Sequence, residues 1–476
     1  MELDQDLQAR QQARALAKAA YDAQIVLAQM PQKKLDTIVK AVAEAFVANA
    51  PELAELAVSE TGFGNVADKI TKNEFASRDV YKAIENMTCV GVLKEDPRDK
   101  LWEIGVPVGV IGAIVPSTNP TSTVCYKALI ALKSGNSILF SPHPKALACT
   151  VKAAHIIADA AVRAGAPAGA VGCLNIPSMA GCREMMESPY VHLILATGGP
   201  AMVRAAYSSG KPAIGVGAGN GPAYIHKSAD VENALFCILR SKTFDYGTVC
   251  ASEQSIIVEA SMEQQVRQTA QKLGFYFMNK EEAGCLAKLL FKPNGTLNPE
   301  IVGKSATVLA QKAGFAVPAS TKVLVAREQE AGPTRPYSME KLCPVLAFFV
   351  MDSEDAVLSK AIEVLKHEGS GHTFAMHATD REVIRKFALQ IPVSRFLVNT
   401  PAALGGIGAT TVLFPALTLG CGAVGGSSSS NNISPMDLIN IRRVAWGKEQ
   451  TKADTPCTRQ EDLVEVLVSK ILERLK

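Results

Sequence analysis

Apolar side chains recur at helical spacing across residues 4–90. Between Ile38 and Phe46 they stand three or four residues apart, as on one face of an α-helix. Pro31 and Pro51 occupy positions that suit the first turn of a helix. The pattern therefore predicts a helical subdomain, which we interpret as scaffold.

From residue 106 onward, short apolar, β-branched runs alternate with segments of helical period. Strands are predicted at residues 106–115, 137–140, 172–176 and 191–195, and helices at residues 122–133 and 146–164. Such alternation favours a parallel, doubly wound α/β sheet, whose ligands bind beyond the carboxyl ends of its strands. Asn119, His143 and Thr197 stand at such ends and are candidates for ligand contacts.

A second α/β pattern follows in the later part of the chain. Strands are predicted at residues 255–258, 323–325, 345–350, 373–376 and 396–399, and helices at residues 260–274, 355–366 and 380–389. The glycine- and serine-rich segment 405–430 allows two interpretations, a linker or an ordered loop over a site. Its apolar residues, among them Leu417 and Leu419, favour the ordered loop. Residues 433–446 predict a late helix and strand.

The stretch Phe244–Ser255 places Cys250 on a turn between an apolar helix and a β-rich run. Gly247 lies three positions before the cysteine and Ala251 directly after it, so we expect no bulk to pack directly over the sulfur. A turn between two buried elements exposes a nucleophile while holding it rigid. A buried structural thiol is the alternative, because free cysteine is among the most buried residue types.

Glycines cluster in two further stretches. Thr197–Pro200 follows an apolar strand and opens a helix, where glycines let a ligand approach the backbone and free N–H groups attract an anion. An ordinary tight turn is the alternative, because two glycines are a weak motif. Residues 211–220 fit either a close-packed strand and turn beside a ligand or an ordinary loop.

Composition narrows the class of protein. The chain has 476 residues, 48% of them hydrophobic, and a formal net charge of +3, which fits a globular protein of two or three domains. The balanced charge argues against nucleic-acid binding. Eleven cysteines without a CxxC pair indicate reduced thiols, a cytoplasmic location and no metal site. The polar N-terminus and the lack of a long apolar run predict neither a signal peptide nor a membrane span.

Residues 448–476 differ in pattern from the rest of the chain. Residues 448–457 are polar and predict a linker, and Thr458–Glu461 has the sequence of a capping box. From Leu463 to Leu475 apolar residues recur mostly in pairs four residues apart, with charges on the other face. The pattern predicts a short amphipathic helix on a tether, which either docks on its own protein or binds a partner.

With these motifs in order, the chain from residue 5 to residue 446 resembles the CoA-acylating aldehyde dehydrogenases. It is most similar to the aldehyde dehydrogenase half of bifunctional aldehyde–alcohol dehydrogenases and to the microcompartment-associated propionaldehyde and acetaldehyde dehydrogenases. The stretches that carry the resemblance are residues 117–123, 140–144, 195–200, 206–220, 243–255, 371–373 and 417–422.

The resemblance implies the α/β aldehyde dehydrogenase fold, with a Rossmann-like cofactor domain, an α/β catalytic domain and an oligomerisation flap. The cofactor domain with its N-terminal helices is expected at residues 1–230, including a strand near 98–108 that joins the flap. The catalytic domain is expected at residues 231–430, the oligomerisation segment at 431–447, and the linker with its helix at 448–476.

The resemblance also implies a reaction. Cys250 attacks the aldehyde carbonyl, and Asn119 with a backbone N–H at the cysteine holds the oxyanion. Hydride passes to the nicotinamide, and coenzyme A takes the acyl group from the thioester on Cys250. NAD is the expected cofactor, with NADP left open. Contacts to it are expected from Pro116, Ser117, Thr118, Ser141, His143, Thr197, Gly198, Gly199, Gly217 and Glu340.

Two departures from hydrolytic relatives bear on the product and the cofactor. Val216 stands where those relatives carry a glutamate that activates water, and a general base contributes about 100- to 10,000-fold. Coenzyme A is therefore the expected acceptor, although Glu253 is a possible substitute base. Ser141 and Pro144 replace the lysine and glutamate that contact the adenosine ribose, so the expectation of NAD rests on the family. Glu340 matches the nicotinamide-ribose glutamate, with a solvated helix residue as the alternative.

The expected function is the conversion of a short aliphatic aldehyde, propionaldehyde or acetaldehyde, with NAD and coenzyme A to acyl-CoA and NADH. We expect a homodimer or homotetramer inside a bacterial microcompartment, whose shell proteins bind residues 459–475. A hydrolytic aldehyde dehydrogenase that forms a carboxylic acid is the alternative. A third possibility, a relative that only binds nucleotide, is disfavoured by the presence of both Cys250 and Asn119.

Overall fold

The computed structural model describes residues 4–98, 100–447 and 460–475. They divide into two units. The first contains the residues up to Gly91 together with Gly105–Asn440, and the second contains Val92–Ile104 with the residues from Ile441 onward. The site described below lies in the first unit.

The predicted helical subdomain is confirmed at the start of the chain. Its helices are α1 (Gln5–Leu27), α2 (Gln32–Ala48), α3 (Ala50–Thr61), α4 (Val66–Glu74) and α5 (Val80–Ile84), with a π-helical turn, Phe75–Asp79, between the last two. In α1, Ala9, Ala13, Ala17 and Ala20 are buried, so the alanine-rich face packs against the protein.

The prediction of one continuous strand over residues 106–115 is wrong, because two separate strands meet there. After β1 (Gly91–Asp96), the strand β2 (Leu101–Pro107) ends before β3 (Val110–Ile114) begins. Gly109 lies between them with a φ of 122°, a backbone conformation that favours glycine. A Cβ at this position would also lie 2.6 Å from Nδ1 of His192. The interruption between β2 and β3 therefore depends on this glycine.

The first sheet contains β3 and four later strands: β4 (Ser137–Ser141), β5 (Val171–Cys173), β6 (Leu193–Thr197) and β7 (Ala213–Val216). It is parallel, with the order β5-β4-β3-β6-β7. Its helices are α6 (Pro120–Lys133), α7 (Leu147–Arg163), α8 (Met179–Glu187) and α9 (Pro200–Tyr207). The strand order reverses between β3 and β6, and doubly wound sheets bind ligands at such a switch point. The predicted parallel α/β arrangement is confirmed.

The second sheet is also parallel and has seven strands. They are β8 (Gly221–Ile225), β9 (Glu253–Glu259), β10 (Phe275–Phe277), β11 (Val323–Arg327), β12 (Val345–Met351), β13 (Gly371–His377) and β14 (Val393–Val398). Their order is β10-β11-β12-β9-β8-β13-β14. Strand β8 lies in this sheet although it precedes residue 231, where the catalytic domain was expected to begin.

The helices of the first unit that accompany the second sheet are α10 (Val231–Thr243), α11 (Glu263–Lys272), α12 (Lys280–Leu290), α13 (Ala306–Ala313), α14 (Glu354–His367), α15 (Arg381–Ala388) and α16 (Ala402–Gly406). A later helix, α17 (Gln460–Arg474), belongs to the second unit. Within the described ranges, no helix combines the length and apolar character that crossing a membrane requires.

The second unit is built around a three-stranded sheet with the order β1-β2-β15, in which β15 is Ile439–Ala445. The rings of Trp102 and Trp446 meet edge to face with centroids 5.0 Å apart, and Arg443 Nε lies 3.2 Å from a carboxylate oxygen of Glu103. In α17, every side chain from Val464 to Leu475 is exposed. The predicted linker and Thr458 of the predicted capping box lie outside the described residues.

Candidate active site

Cys250 stands on the connection between α10 and β9, as predicted, and is partly exposed. The connection is unusual because Asp245 and Tyr246 have left-handed backbone angles, with φ values of 49° and 50°. Residues other than glycine adopt this conformation at a cost of about 1–3 kcal/mol each. Gly247 continues the left-handed run with a φ of 78°. The surrounding structure must therefore hold this turn in place.

The carboxylate of Asp245 is the anchor of this turn. It accepts hydrogen bonds from the backbone N–H of Asn65 at 2.9 Å, from Lys69 Nζ at 2.9 Å, from Thr248 Oγ1 at 2.7 Å and from Lys72 Nζ. Burial opposes ionisation, but Lys72 and Lys69 outweigh it and lower the pKa of Asp245. The turn before the cysteine is therefore held by a buried, ionised and fully bonded carboxylate.

Asn119 follows the carboxyl end of β3 and occupies the N-cap position of α6, where its side chain makes no capping hydrogen bond. Its Nδ2 donates to the backbone oxygen of Thr248 at 3.0 Å, and its Oδ1 accepts from Lys72 Nζ at 2.6 Å. Thr248 is two residues from Cys250, so the asparagine is bonded directly to the cysteine turn. Asn119 and Cys250 line the same cavity.

The structure brings the residues predicted for the site together. A cavity of about 580 Å³ is lined by Cys250, Asn119, Pro116, Ser117, Thr118, His143, Thr197, Gly198, Gly199, Gly217 and Glu340. Ser141 lies beside it, in a pocket of about 310 Å³ that shares Pro116, His143, Thr197, Gly198 and Gly199. The roles assigned to these residues stay predictions.

The linings of the two pockets have features that suit parts of a dinucleotide. The smaller one is lined largely by apolar side chains, including Val115, Leu174 and Ile176, which suit a purine ring. Backbone at Gly199 and Gly217 faces open space, because a Cβ at either position would meet nothing within 4 Å. Helix α9 begins directly after Gly199, and the positive end of its dipole suits a phosphate.

Burial and a neighbouring carboxyl group both raise the pKa of the Cys250 thiol. Burial raises its pKa to about 12, and the carboxyl group of Glu340 adds to the shift. Burial likewise raises the pKa of Glu340 to about 8, with neighbouring Glu368 adding to it. Glu340 accepts a hydrogen bond from the N–H of Gly219 at 2.9 Å. It lines the cavity and is not a solvated helix residue, so that alternative is wrong.

Two positions bear on the choice between coenzyme A and water. Val216 ends β7, is 2% exposed and lines the cavity. Glu253, the possible substitute base, is buried and accepts a hydrogen bond from the N–H of Ala402 at 3.0 Å. It does not line the cavity. Leu417 and Leu419 do line it, which supports the interpretation of residues 405–430 as an ordered loop.

His372 is a buried residue beside the site to which the sequence assigned no role. A Cβ at Gly219 would lie 2.0 Å from the carbonyl oxygen of Cys250 and 3.1 Å from Cε1 of His372. The imidazole therefore lies beside the cysteine backbone. Burial lowers its pKa to about 3, with Arg395 adding to the shift, so it is neutral at pH 7. The motif at residues 371–373 was the only sequence signal.

Lys72 is the second residue that sequence reasoning missed. The interpretation of the N-terminal helices as scaffold is too narrow, because α4 places Lys72 in the lining of the cavity. No local motif marks this lysine, since its partners come from distant parts of the chain. In the part of the chain that the structure describes, no cluster of three or more His, Cys, Asp or Glu side chains is arranged to hold a metal ion.

Comparison with known proteins identifies related chains. The model of the aldehyde dehydrogenase family matches residues 5–274. The bifunctional aldehyde-alcohol dehydrogenase of Escherichia coli K12 is 44% identical over 438 residues, which are 90% of this chain and 49% of that protein. The chain thus spans about half the length of the bifunctional relatives that it matches.

Solved structures share the fold. An acetylating aldehyde dehydrogenase from Geobacillus thermoglucosidasius has a TM-score of 0.93 and 47% identity, covering 94% of this chain and 99% of that one. A propionaldehyde dehydrogenase from the fucose utilisation microcompartment of Clostridium phytofermentans has a TM-score of 0.82 and 28% identity, covering 93% and 98%.

These matches test the expectations drawn from the resemblance. The aldehyde dehydrogenase fold is confirmed. The resemblance to acylating aldehyde dehydrogenases is confirmed by the relatives that carry this description. On the evidence of the family model and of these relatives, the chain belongs to the aldehyde dehydrogenase family.

Proposed function

We propose that this protein is a CoA-acylating aldehyde dehydrogenase that converts a short aliphatic aldehyde, NAD and coenzyme A to acyl-CoA, NADH and a proton. The observation that carries the proposal is the meeting of Cys250, the Asn119 amide and Val216 in one cavity beside a pocket that fits a dinucleotide. The name of the Geobacillus relative, an acetylating enzyme, agrees with it.

The chemistry begins with the sulfur of Cys250. The thiol releases its proton, which appears as the proton of the overall reaction, and its sulfur forms a bond to the aldehyde carbon while the negative charge moves to the carbonyl oxygen. A side-chain amide such as that of Asn119 stabilises this charge, and one such donor is worth about 100- to 1,000-fold in rate. A bound nicotinamide supplies the hydride acceptor. Loss of hydride leaves a thioester on Cys250.

The second half of the reaction transfers the acyl group. The sulfur of coenzyme A attacks the thioester carbonyl, and the bond to Cys250 breaks so that its thiolate returns. Val216 offers no group that accepts a proton from water, whereas a CoA thiol brings its own nucleophilicity. Glu340, which lines the cavity, is able to accept the thiol proton in its carboxylate form, and its raised pKa of about 8 makes it a stronger base than an ordinary glutamate. The site therefore favours acyl-CoA over a carboxylic acid.

Apolar side chains support a short aliphatic substrate. The cavity that contains Cys250 is also lined by Phe291, Leu297, Ile407, Leu417 and Leu419. Such a surface suits an alkyl chain, and the size of the cavity, about 580 Å³ shared with the cofactor, leaves room for a short one. We propose propionaldehyde or acetaldehyde.

We propose NAD as the cofactor, with NADP competing for the same site. The pocket around Ser141 and His143 contains no Asp or Glu among its lining residues, so no carboxylate selects against a phosphate on the ribose. Coenzyme A also carries a phosphorylated ribose, and the same pocket suits it. Comparing kcat/KM for NAD and NADP measures this preference.

Assembly and location complete the proposal. The three-stranded sheet of the second unit is the proposed surface for a homodimer or homotetramer. The exposed helix α17, within residues 459–475, is the proposed contact for shell proteins of a bacterial microcompartment. The Clostridium phytofermentans relative, which comes from such a compartment, supports this placement.

The decisive experiment identifies the product with and without coenzyme A. We expect propionyl-CoA or acetyl-CoA to form with coenzyme A, and only slow formation of the free acid without it. Cys250→Ala should abolish both products while NAD still binds, which fluorescence titration checks. Equal acid formation with and without coenzyme A would favour a hydrolytic enzyme instead.

A further inference from the structure

Lys72 is bonded to three different acceptors around the cysteine turn. Its Nζ lies 2.6 Å from Oδ1 of Asn119 and 3.1 Å from Oγ1 of Thr248, and it also donates to Asp245. An ammonium group has three N–H donors and no acceptor. Every donor of Lys72 is therefore engaged within the protein, and none is left to bind a substrate.

These contacts fix which way the Asn119 amide points. Lys72 can only donate, so the amide atom that faces it is the oxygen. The carbonyl of Thr248 can only accept, so the atom that faces it, 3.0 Å away, is the nitrogen. Nδ2 has a second proton, whose protein acceptor is Thr118 Oγ1 at 3.3 Å, a long bond. This proton is the one available to a ligand in the cavity.

The charge of Lys72 adds to the geometry. The side chain is 3% exposed, so its interactions are weakly screened by water. Burial lowers its pKa to about 8, against the opposing charge of Asp245, and it remains largely protonated at pH 7. A cation bonded to the amide oxygen polarises the amide and makes its N–H groups stronger donors.

We propose that Lys72 is a positioning residue that orients and polarises the Asn119 amide for the oxyanion formed on the aldehyde. This inference rests on the proposed function, because it assigns Lys72 a role through Asn119. Asp245 takes part indirectly, since it holds both Lys72 and the turn that carries Thr248.

The chain offers a matched control in Lys69, one turn earlier on α4. Lys69 is also 3% exposed, donates to Asp245 at 2.9 Å and reaches the carbonyl of Thr118 at 2.9 Å. Its hydrogen bonds in the described structure do not include Asn119. Lys69→Met and Lys72→Met therefore each remove one buried cation from Asp245, but only the second removes the bond to the amide.

We expect Lys72→Met to lower kcat by about tenfold or more, a part of the loss for a whole oxyanion donor. The KM for aldehyde should change less than about threefold, since a positioning residue acts mainly in the transition state. Lys69→Met should keep kcat within about threefold. Equal losses in the two variants would assign Lys72 a structural role and overturn the inference.

A double-mutant cycle separates this inference from the proposed function. Asn119→Ala should lower kcat by about 100- to 1,000-fold. In that background Lys72→Met should cost less than about twofold more, because its target is gone. If Asn119→Ala leaves kcat unchanged, the oxyanion role in the proposed function fails. If Asn119→Ala is slow but Lys72→Met is equally harmful in both backgrounds, only the positioning inference fails.

The thermal stability of each lysine variant should be measured together with its kcat. Thermal unfolding should shift similarly in Lys69→Met and Lys72→Met, because both leave Asp245 with one cation. Where Lys72→Met does not fold, Lys72→Gln takes its place in the cycle, since glutamine keeps a donor and loses the charge. We expect it to lower kcat at least about threefold in the wild-type background and not in Asn119→Ala. No loss, or the same loss in both, would overturn the inference.

Discussion

The carboxyl group of Glu340 lies close enough to Cys250 to add, after burial, the largest contribution to the raised pKa of the thiol, about 12. Both residues line the same cavity. Because the pKa of Glu340 is itself raised to about 8, this carboxyl group becomes a charged neighbour of the thiol only at alkaline pH. At pH 7 it is therefore mainly burial that keeps the cysteine of the free protein protonated.

This relationship predicts the reactivity of the thiol. Glu340→Gln removes the charge but keeps an oxygen that accepts the bond from Gly219, so the pKa of Cys250 should fall. We expect faster alkylation of Cys250 by iodoacetamide above pH 8 and a shrinking difference below it. The rate is measured by mass spectrometry of the cysteine peptide in the absence of cofactor.

An internal control lies in the same protein. Cys285 is exposed, and its alkylation in the same spectra should be identical in the wild type and in Glu340→Gln. Coinciding pH profiles for Cys250 in the two proteins would show that Glu340 does not influence the thiol.

Val216 provides the second prediction. It pairs with Thr197 across β6 and β7 and lines the cavity, so a longer acidic side chain there reaches toward the space that a substrate enters. We expect Val216→Glu to raise the ratio of free acid to acyl-CoA, because a general base for water is restored. The ratio is measured by chromatography at fixed concentrations of aldehyde, NAD and coenzyme A.

Val216→Gln is the matched control, since it has nearly the same shape and no basic carboxylate. It should keep the product ratio of the wild type. If the glutamate and glutamine variants form the same products, the deciding factor is the geometry of the thioester and not the residue at this position.

How much of this site the sequence alone predicts depends on how far apart along the chain the interacting residues lie. Asn119, His143 and Thr197 were placed correctly at strand ends because apolar periodicity locates parallel strands, and such strands gather their carboxyl ends at one edge. The bond between Lys72 and Asp245 joins residues 173 positions apart. No local pattern encodes it, so the contribution of α4 to the site was missed. The interruption between β2 and β3 at Gly109 was missed for a similar reason, since it depends on packing against the distant residue His192.

His377 supplies a prediction about acid stability. It lies on β13, is 1% exposed, and neither ring nitrogen has a hydrogen-bond partner among the described residues. Burial lowers its pKa to about 4, below the value of about 6.5 for an unfolded histidine. The contribution of the neutral imidazole to the free energy of unfolding is therefore fully present above about pH 6.5. As the pH falls to 4, this contribution decreases by roughly 3 kcal/mol.

His377→Leu should reduce this dependence on pH. We expect the free energy of urea unfolding to fall less between pH 7 and pH 4.5 in the variant than in the wild type. His155, which is exposed on α7, is the control position, and His155→Gln should behave as the wild type does. An unchanged slope in His377→Leu would show that the imidazole is solvated or bonded in solution.

The last prediction concerns α17, whose apolar side chains face solvent. Val464, Leu467, Val468, Ile471, Leu472 and Leu475 form a stripe and are each between 49% and 78% exposed. Burying one such side chain fully contributes about 1.5–3 kcal/mol before the cost of ordering, so the stripe suits a partner surface. We expect deletion of about the last 20 residues to leave kcat and KM unchanged but to abolish encapsulation. Fusion of this segment to a fluorescent protein should recruit it to co-expressed shells.

Two valines make this test specific to the stripe. Val468 lies on it, whereas Val466 lies on the opposite side of the helix and is similarly exposed, 55% against 49%. In the fluorescent fusion, Val468→Glu should abolish recruitment and Val466→Glu should preserve it, because both add the same charge but only one places it on the apolar face. Shell-bound fluorescence in cells measures both. If the two variants behave alike, or if deleting the segment destroys the folded enzyme, α17 is not a shell-binding helix.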